Sequence, residues 1–231
     1  MWDDDGVPAV PTARERARRE LTADILGAAR RQLAASGAAA LSVRAVAREL
    51  GLASSALYRY FATRDELLTA LIVEAYDDVA DAVEAAVAPR RGRTRRARFT
   101  GGCRAFRAWA LEHPHEYALV HGSPVPGYRG DERTTAAGAR TPLALLSVLE
   151  GLPDPAPAAA LDARLAEGAS RVVAAAASEV PLPLVVVAAQ CWTALLGLVS
   201  SELFGQLANT FDPADAFAEA TVDALADRLG L

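Results

Sequence analysis

Lysine is missing from this chain of 231 residues, and all 24 of its basic side chains are arginines. A GC-rich coding bias accounts for that as readily as chemistry does, so no function is attached to it. Cysteine is nearly missing. Cys103 and Cys191 stand far apart, which excludes a disulfide framework and gives no zinc-ligand spacing. Two reduced thiols fit a cytoplasmic protein. Long apolar runs are also lacking: the longest, Leu182 to Ala189, falls well short of the roughly 18 residues of a membrane span. No membrane partner is therefore expected. The chain begins MWDDDG, acidic and without an apolar h-region, which excludes a secretory signal. Long β-branched alternations are absent as well, so strands are not expected.

What is present is helical. Alanine and leucine dominate, apolar residues recur at helical spacing, and 52% hydrophobic against 23% charged residues is a globular balance. The fold class is read as all-α, with length enough for one large domain or two small ones. Net charge is −5, which argues against a uniformly basic nucleic-acid binder. The distribution of that charge argues the other way. Between Thr12 and Arg64 ten arginines face four acids, whereas Asp65 to Leu231 carries fourteen arginines against twenty-two acids. A basic head on an acidic body is an electrostatic footprint for a polyanion at one end.

The most informative stretch is Ser42 to Arg64, SVRAVARELGLASSALYRYFATR. Val43, Val46, Ala47 and Leu50 share one helical face, with Ser42 placed to cap the helix. Gly51 allows a left-handed exit. A second helix is expected from about Ser54 to Phe61, with Leu57 and Phe61 inward. Tyr58, Arg59 and Tyr60 cannot all be buried beside them. This is the anatomy of a helix-turn-helix, whose second helix enters the DNA major groove.

Along the rest of the chain, residues 1–13 read as a disordered tail. A first helix is expected from Arg14 or Arg18 to Ala35. Thr63 and Glu66 form a capping box that opens a long helix over 64–87, ended by Pro89. The arginine-rich PRRGRTRRAR, Pro89 to Arg98, reads as a solvated loop or helix start. Helices are expected from Phe99 to His113, from Pro114 through Val120, from Thr141 to Gly151 and from Leu161 to Ser178. Two more are expected from Pro181 or Pro183 to about Leu207 and from Asp212 to Gly230. Gly122 to Gly130 is a loop, and PDPAPAAA is a proline-rich link.

The stretch LSVRAVARELGLASSALYRYFATRDELL, Leu41 to Leu68, resembles the TetR family of bacterial transcriptional regulators. About fifteen positions agree in type and spacing. In the remainder, Trp109, His113-Pro114 and Tyr117, then Gly122 to Tyr128 (GSPVPGY), and later Trp192, Gly197 and Glu202 to Gly205, resemble one subclass of TetR-like C-terminal domain. The chain departs from the pattern at Ala53, where Ser or Thr usually caps the recognition helix, leaving Ser54 for that role. It departs again at Arg64, where lysine is usual.

The resemblance implies three parts. After the tail come a helix-turn-helix domain over 14–64, continuing into the helix 64–87, and an effector and dimerisation domain over 88–231. It also implies a repressor bound to a palindromic double-stranded operator as a homodimer, through the last two long helices, and released by an unknown small-molecule effector. The apolarity of Leu184 to Leu207 on more than one face agrees with such pairing. For the DNA face, the hydroxyls of Ser42, Tyr58 and Tyr60 and the charge of Arg64 suit phosphates. Arg44, Ser54, Ser55 and Ala56 suit base edges, and Arg59 is either a phosphate clamp or a solvated flank. Candidate effector-lining residues are Phe106, Trp109, Tyr117, His121, Trp192 and Phe204.

The rival reading is a helical enzyme, or a small-molecule or metal sensor without operator binding. His113, His115, Glu116 and His121 lie close together, but their spacing is not that of HExxH. Neither a nucleophile elbow nor a phosphate loop is present. No enzyme activity, cofactor or metal is expected.

Overall fold

Most of the helices start where a short polar side chain meets the orphan N–H groups of a first turn. The computed structural model describes residues 12–153 and 161–231, which form ten α-helices and one 3-10 turn; no strand occurs among the described residues. Thr12 accepts from Glu15 N while the Glu15 carboxylate accepts from Thr12 N, a capping box that opens α1 (Ala13–Ser36). Thr12 and Ala13 thus belong to α1 rather than to the expected tail, whose residues 1–11 lie outside the described residues. The proline-rich link lies outside them from residue 154 onward.

Ser42 caps α2 (Val43–Glu49) by accepting from Ala45 N at 3.4 Å. Gly51 has φ +66°, the left-handed exit that a side chain would oppose. The recognition helix is shorter than its expected span of 54–61. α3 covers only Ser54–Leu57, and turns carry the chain through Tyr60. Ser54 does not cap it: the cap position is Ala53, and no side chain accepts there. Tertiary packing holds the segment instead, through Leu57, which is fully buried, and Phe61. Burying such a side chain contributes roughly 1.5–3 kcal/mol. The same unit buries Ile25, Ala28 and Ala29 of α1 and Val46 and Ala47 of α2 completely.

Thr63 then accepts from Glu66 N at 3.0 Å, and Glu66 accepts from Ala62 N at 2.7 Å, opening α4 (Arg64–Val87). The chain divides into two compact units, one ending at Leu71 and the other running from Ile72 to Leu231, so the division falls within α4.

In the second unit the helices are α5 (Arg95–Glu112), α6 (Pro114–His121), α7 (Glu132–Ser147), α8 (Ala163–Ala176), α9 (Leu182–Leu203) and α10 (Asp215–Arg228). Three starts differ from expectation by three residues or more, and α10 begins at Asp215 rather than Asp212. Thr94 caps α5, so four residues of the arginine-rich connector form its first turn. Two connector arginines close α4: Arg93, still exposed, donates to the Ala86 carbonyl and the half-buried Arg98 to the Val87 carbonyl. The helix expected from Thr141 begins at Glu132, where Asp131 accepts from Arg133 N and Thr134 N. Pro142 lies inside it, and Thr134, Ala137, Thr141 and Leu145 form the continuous buried stripe that carries the helix past the proline.

The core gathers around Phe106, Tyr117, Leu149 and Leu195, with α9 packed against α5, α6, α7, α8 and α10. By length and composition α9 is apolar enough to cross a membrane, which the expectation from run length missed. Pro183, Gln190, Thr193 and Gly197 interrupt the apolar run without adding charge.

Candidate nucleic-acid interface and ligand cavity

Of the nine residues expected at a DNA face, Arg44, Ser55, Tyr58 and Arg59 are exposed, while Ser42, Ser54, Ala56, Tyr60 and Arg64 are half-buried. Tyr58 leaves 41% of its surface exposed beside Leu57, which exposes none. The alternation is what a groove-facing edge over a packed base requires. Among the described residues, neither Arg44 nor Arg59 makes an ion pair, so both guanidinium groups remain available to phosphate or guanine. Ser42 spends its oxygen on the cap and keeps its O–H as a donor.

Arg64 is engaged more deeply than a simple phosphate contact implies. Its Nε donates to the Leu41 carbonyl at 3.0 Å, and one terminal nitrogen donates to Ala38 O at 2.8 Å and Ala39 O at 3.3 Å. The other terminal nitrogen meets Asp65 at 3.5 Å. The guanidinium therefore ties the start of α4 to the turn before α2. Sequence reasoning missed Arg18, which lies 5.6 Å over the Tyr60 ring and holds that aromatic from α1. The only available signal was its position on the basic face of the first helix.

In the second unit the expected effector residues divide. Phe106 packs edge-on against Trp192 at 5.0 Å, His121 at 5.7 Å and Tyr117 at 6.1 Å, and Tyr117 meets His121 at 5.1 Å. The Tyr117 phenol shares a hydrogen bond of 2.7 Å with Ser200 and donates to Leu196 O at 3.3 Å, fastening α6 to α9. Burial pushes the His121 imidazole down to about 4, so it is neutral at pH 7. Trp109 tilts over His113 at 5.5 Å, and Phe204 leaves half its surface exposed.

A cavity of about 330 Å³ opens elsewhere, between α5, α7, α8 and α9. Of the six expected residues only Trp192 lines it. Aromatic rings fill space against one another, whereas the void forms where the small side chains Ala139, Ala175, Ala188 and Ala189 face each other. Cys103 and Cys191 also line it. Burial pushes the Cys103 thiol up to about 12 and raises that of Cys191, so both stay protonated and uncharged. Cys191 donates to Leu225 O at 3.8 Å.

Beside the cavity, Arg140 of α7 reaches three carboxylates of α4: Asp77 at 2.7 Å, Asp81 at 2.6 Å and Glu84 at 2.9 Å. Arg140 stands between the lining residues Ala139 and Pro142, so one short stretch of α7 faces both the void and α4. His113, His115 and His121 do not converge, and no cluster able to hold a metal occurs among the described residues.

A small helix-turn-helix unit with an exposed arginine and tyrosine edge, together with a helical unit holding an apolar cavity, is the architecture of a helix-turn-helix transcription regulator. The model of the TetR family of bacterial regulatory proteins matches residues 25–71, and that of the tetracyclin repressor-like C-terminal domain matches residues 99–225, more than half of the chain. The chain belongs to the TetR family of transcription regulators, which are DNA-binding proteins and not enzymes. It is 47% identical over 123 residues to the HTH-type transcriptional regulators Rv1816 of Mycobacterium tuberculosis and Mb1846 of Mycobacterium bovis, covering 53% of this chain and 53% of each of theirs. It thus spans about half the length of those relatives. The solved structure of SCO4313, whose name describes it as a regulatory protein, shares 37% identity at a TM-score of 0.77 over 93% of this chain and 98% of that one. A TetR variant from Acinetobacter baumannii in complex with minocycline shares the fold at 19% identity and a TM-score of 0.51, covering 88% of this chain and 92% of that one.

Proposed function

We propose that the chain is a cytoplasmic homodimeric repressor that binds a palindromic operator and leaves it when a small molecule enters the cavity of the second unit. The observation that carries this reading is the exposed Arg44, Ser55, Tyr58 and Arg59 edge over a fully buried Leu57. Arg44 grips guanine O6 and N7, Ser54, Ser55 and Ala56 face base edges, and Ser42, Tyr58, Arg59 and Tyr60 hold phosphates. Arg64 ties the start of α4 to the turn before α2 and neutralises a phosphate with the charge it retains.

One such head makes few contacts, so specificity needs two, spaced about 34–36 Å apart on one face of the DNA. Pairing falls to α9 and α10. The outer side of α9, with Gln190, Thr193, Ala194 and Gly197, is exposed in the single chain and carries no charge. Release follows if the effector favours a state with the heads wrongly spaced, which requires that it bind that state more tightly. The lever is α4, pulled by α7 through Arg140 and its three carboxylates.

The deciding experiment is selection of bound fragments from the native genome, followed by gel-shift titration at several salt concentrations. A recovered palindrome bound with a steep salt slope supports the reading. Recovery of no common sequence sinks it.

A further inference from the structure

The cavity between α5, α7, α8 and α9 is chemically one-sided. Among its described lining residues there is no charged group, no amide and no hydroxyl; the polar atoms are two thiols and the Trp192 indole N–H. This occurs in a chain with 24 arginines and 29 acids, so a charge was available to most helix faces. The nearest cation along α7 fits the same pattern. Arg140 lies between two lining residues, yet its guanidinium is consumed by Asp77, Asp81 and Glu84. A carboxylate or phosphate entering the cavity finds no guanidinium, and an ammonium finds no carboxylate. An ion stripped of water without a partner is strongly disfavoured.

We infer that the effector is an uncharged, predominantly apolar molecule, with at most one weak hydrogen-bonding group directed to the thiols or to Trp192. This rests on the reading of the cavity as the effector site and adds the ligand's chemical class. Val172 both lines the cavity and is 36% exposed, with Leu165 two turns earlier on α8 at 49%. The exposed part of the lining on α8 is therefore apolar as well. The alanines set the width. Ala175 and Ala188 face the space from two helices, so lengthening either side chain removes room without removing any polar contact.

The test uses the full chain and three probes that share one tail and differ in charge: 1-decanol, decanoate and decylammonium, each below its micelle concentration. Binding is followed by calorimetry and by the Trp192 part of the fluorescence, obtained by comparison with Trp192→Phe. The expected result is one saturable 1-decanol site per chain, with both ions at least tenfold weaker. Ala188→Phe should weaken 1-decanol at least tenfold, and the milder Ala175→Leu should do so severalfold with the far-ultraviolet circular dichroism unchanged. Equal binding of the three probes, or 1-decanol binding indifferent to both substitutions, overturns the inference. Gel shifts without probe test the regulator reading separately. A chain that selects 1-decanol but never shifts DNA refutes that reading and leaves the cavity's preference standing. A chain that shifts DNA but binds all three probes alike does the reverse.

Discussion

At the residue scale, the division of labour among similar side chains follows from what each already touches. Arg44 and Arg59 are exposed, whereas Arg64 is bonded to three backbone carbonyls. Arg44→Ala should therefore lose preference at one base pair per half-site, by about 1–3 kcal/mol, and leave thermal stability unchanged. Selection on randomised operators beside a melting curve checks both halves. His121 provides a pH signature. Its folded pKa of about 4 lies below the ordinary 6.5, so the unfolded chain binds more protons between those values. Stability from this group is complete above about pH 6.5 and falls as pH drops toward 4, by about 3 kcal/mol in all. His121→Phe keeps a ring beside Phe106, Tyr117 and Trp192 and removes the titration. Urea midpoints for the two proteins should shift relative to each other as the pH is lowered from 7 to 4, with the histidine protein losing more; parallel curves count against the assignment.

At the scale of elements, close approach replaces side-chain volume where α5 crosses its neighbours. A Cβ on Gly102 would stand 2.6 Å from Val87 and 2.8 Å from Leu145, so this glycine sets how tightly α5 sits between α4 and α7. Gly102→Ala should cost about 1–3 kcal/mol through overpacking despite the better helix propensity of alanine, read as a lower urea midpoint with an unchanged slope. Helices with a side-chain signal at both ends were legible in the sequence. Thr63, Glu66 and Pro89 bounded α4, and Ser42 and Gly51 framed α2. α7 was not legible, because Pro142 reads as a start while the true cap, Asp131, lies well before it in a stretch diluted by glycine and threonine. The first turn of α5 was obscured by arginines whose partners, Ala86, Val87 and Glu150 carbonyls among them, are not adjacent in sequence. That Tyr58 and Arg59 stay exposed beside a buried Leu57 could be read from local spacing. The cavity could not, because a void is defined by small side chains on several helices that no local pattern relates.

At the scale of the whole chain, two populations of arginine explain how an acidic protein presents a basic surface. In the second unit Arg104 holds Glu219 at 2.6 Å, Arg107 holds Glu202 at 2.5 Å and Asp215 at 2.8 Å, and Arg96 pairs with Asp223 and Asp227. Those charges are neutralised internally, across α5 and the helices that pair with it. Among the described residues Arg44 and Arg59 of the head are not, which agrees with the proposed contact to a polyanion. The proposed pairing of α9 and α10 adds a prediction at this scale. Thr193→Arg places a charge on the uncharged outer face of α9 and should turn a dimer into a monomer in light scattering. Operator affinity should fall at least tenfold, because a lone head cannot span two half-sites. A dimer that persists with full affinity would place the interface elsewhere.

The brevity of α3 bears on how such a protein changes its target. Ser54, Ser55 and Ala56 contribute no cap to their own helix, and the turn is anchored by Leu57 and Phe61 from below. The letters proposed to read the operator are thus separate from those that hold the shape. A lineage carrying this scaffold is able to rewrite the first three without endangering the fold, and so to acquire a new set of genes in a few substitutions.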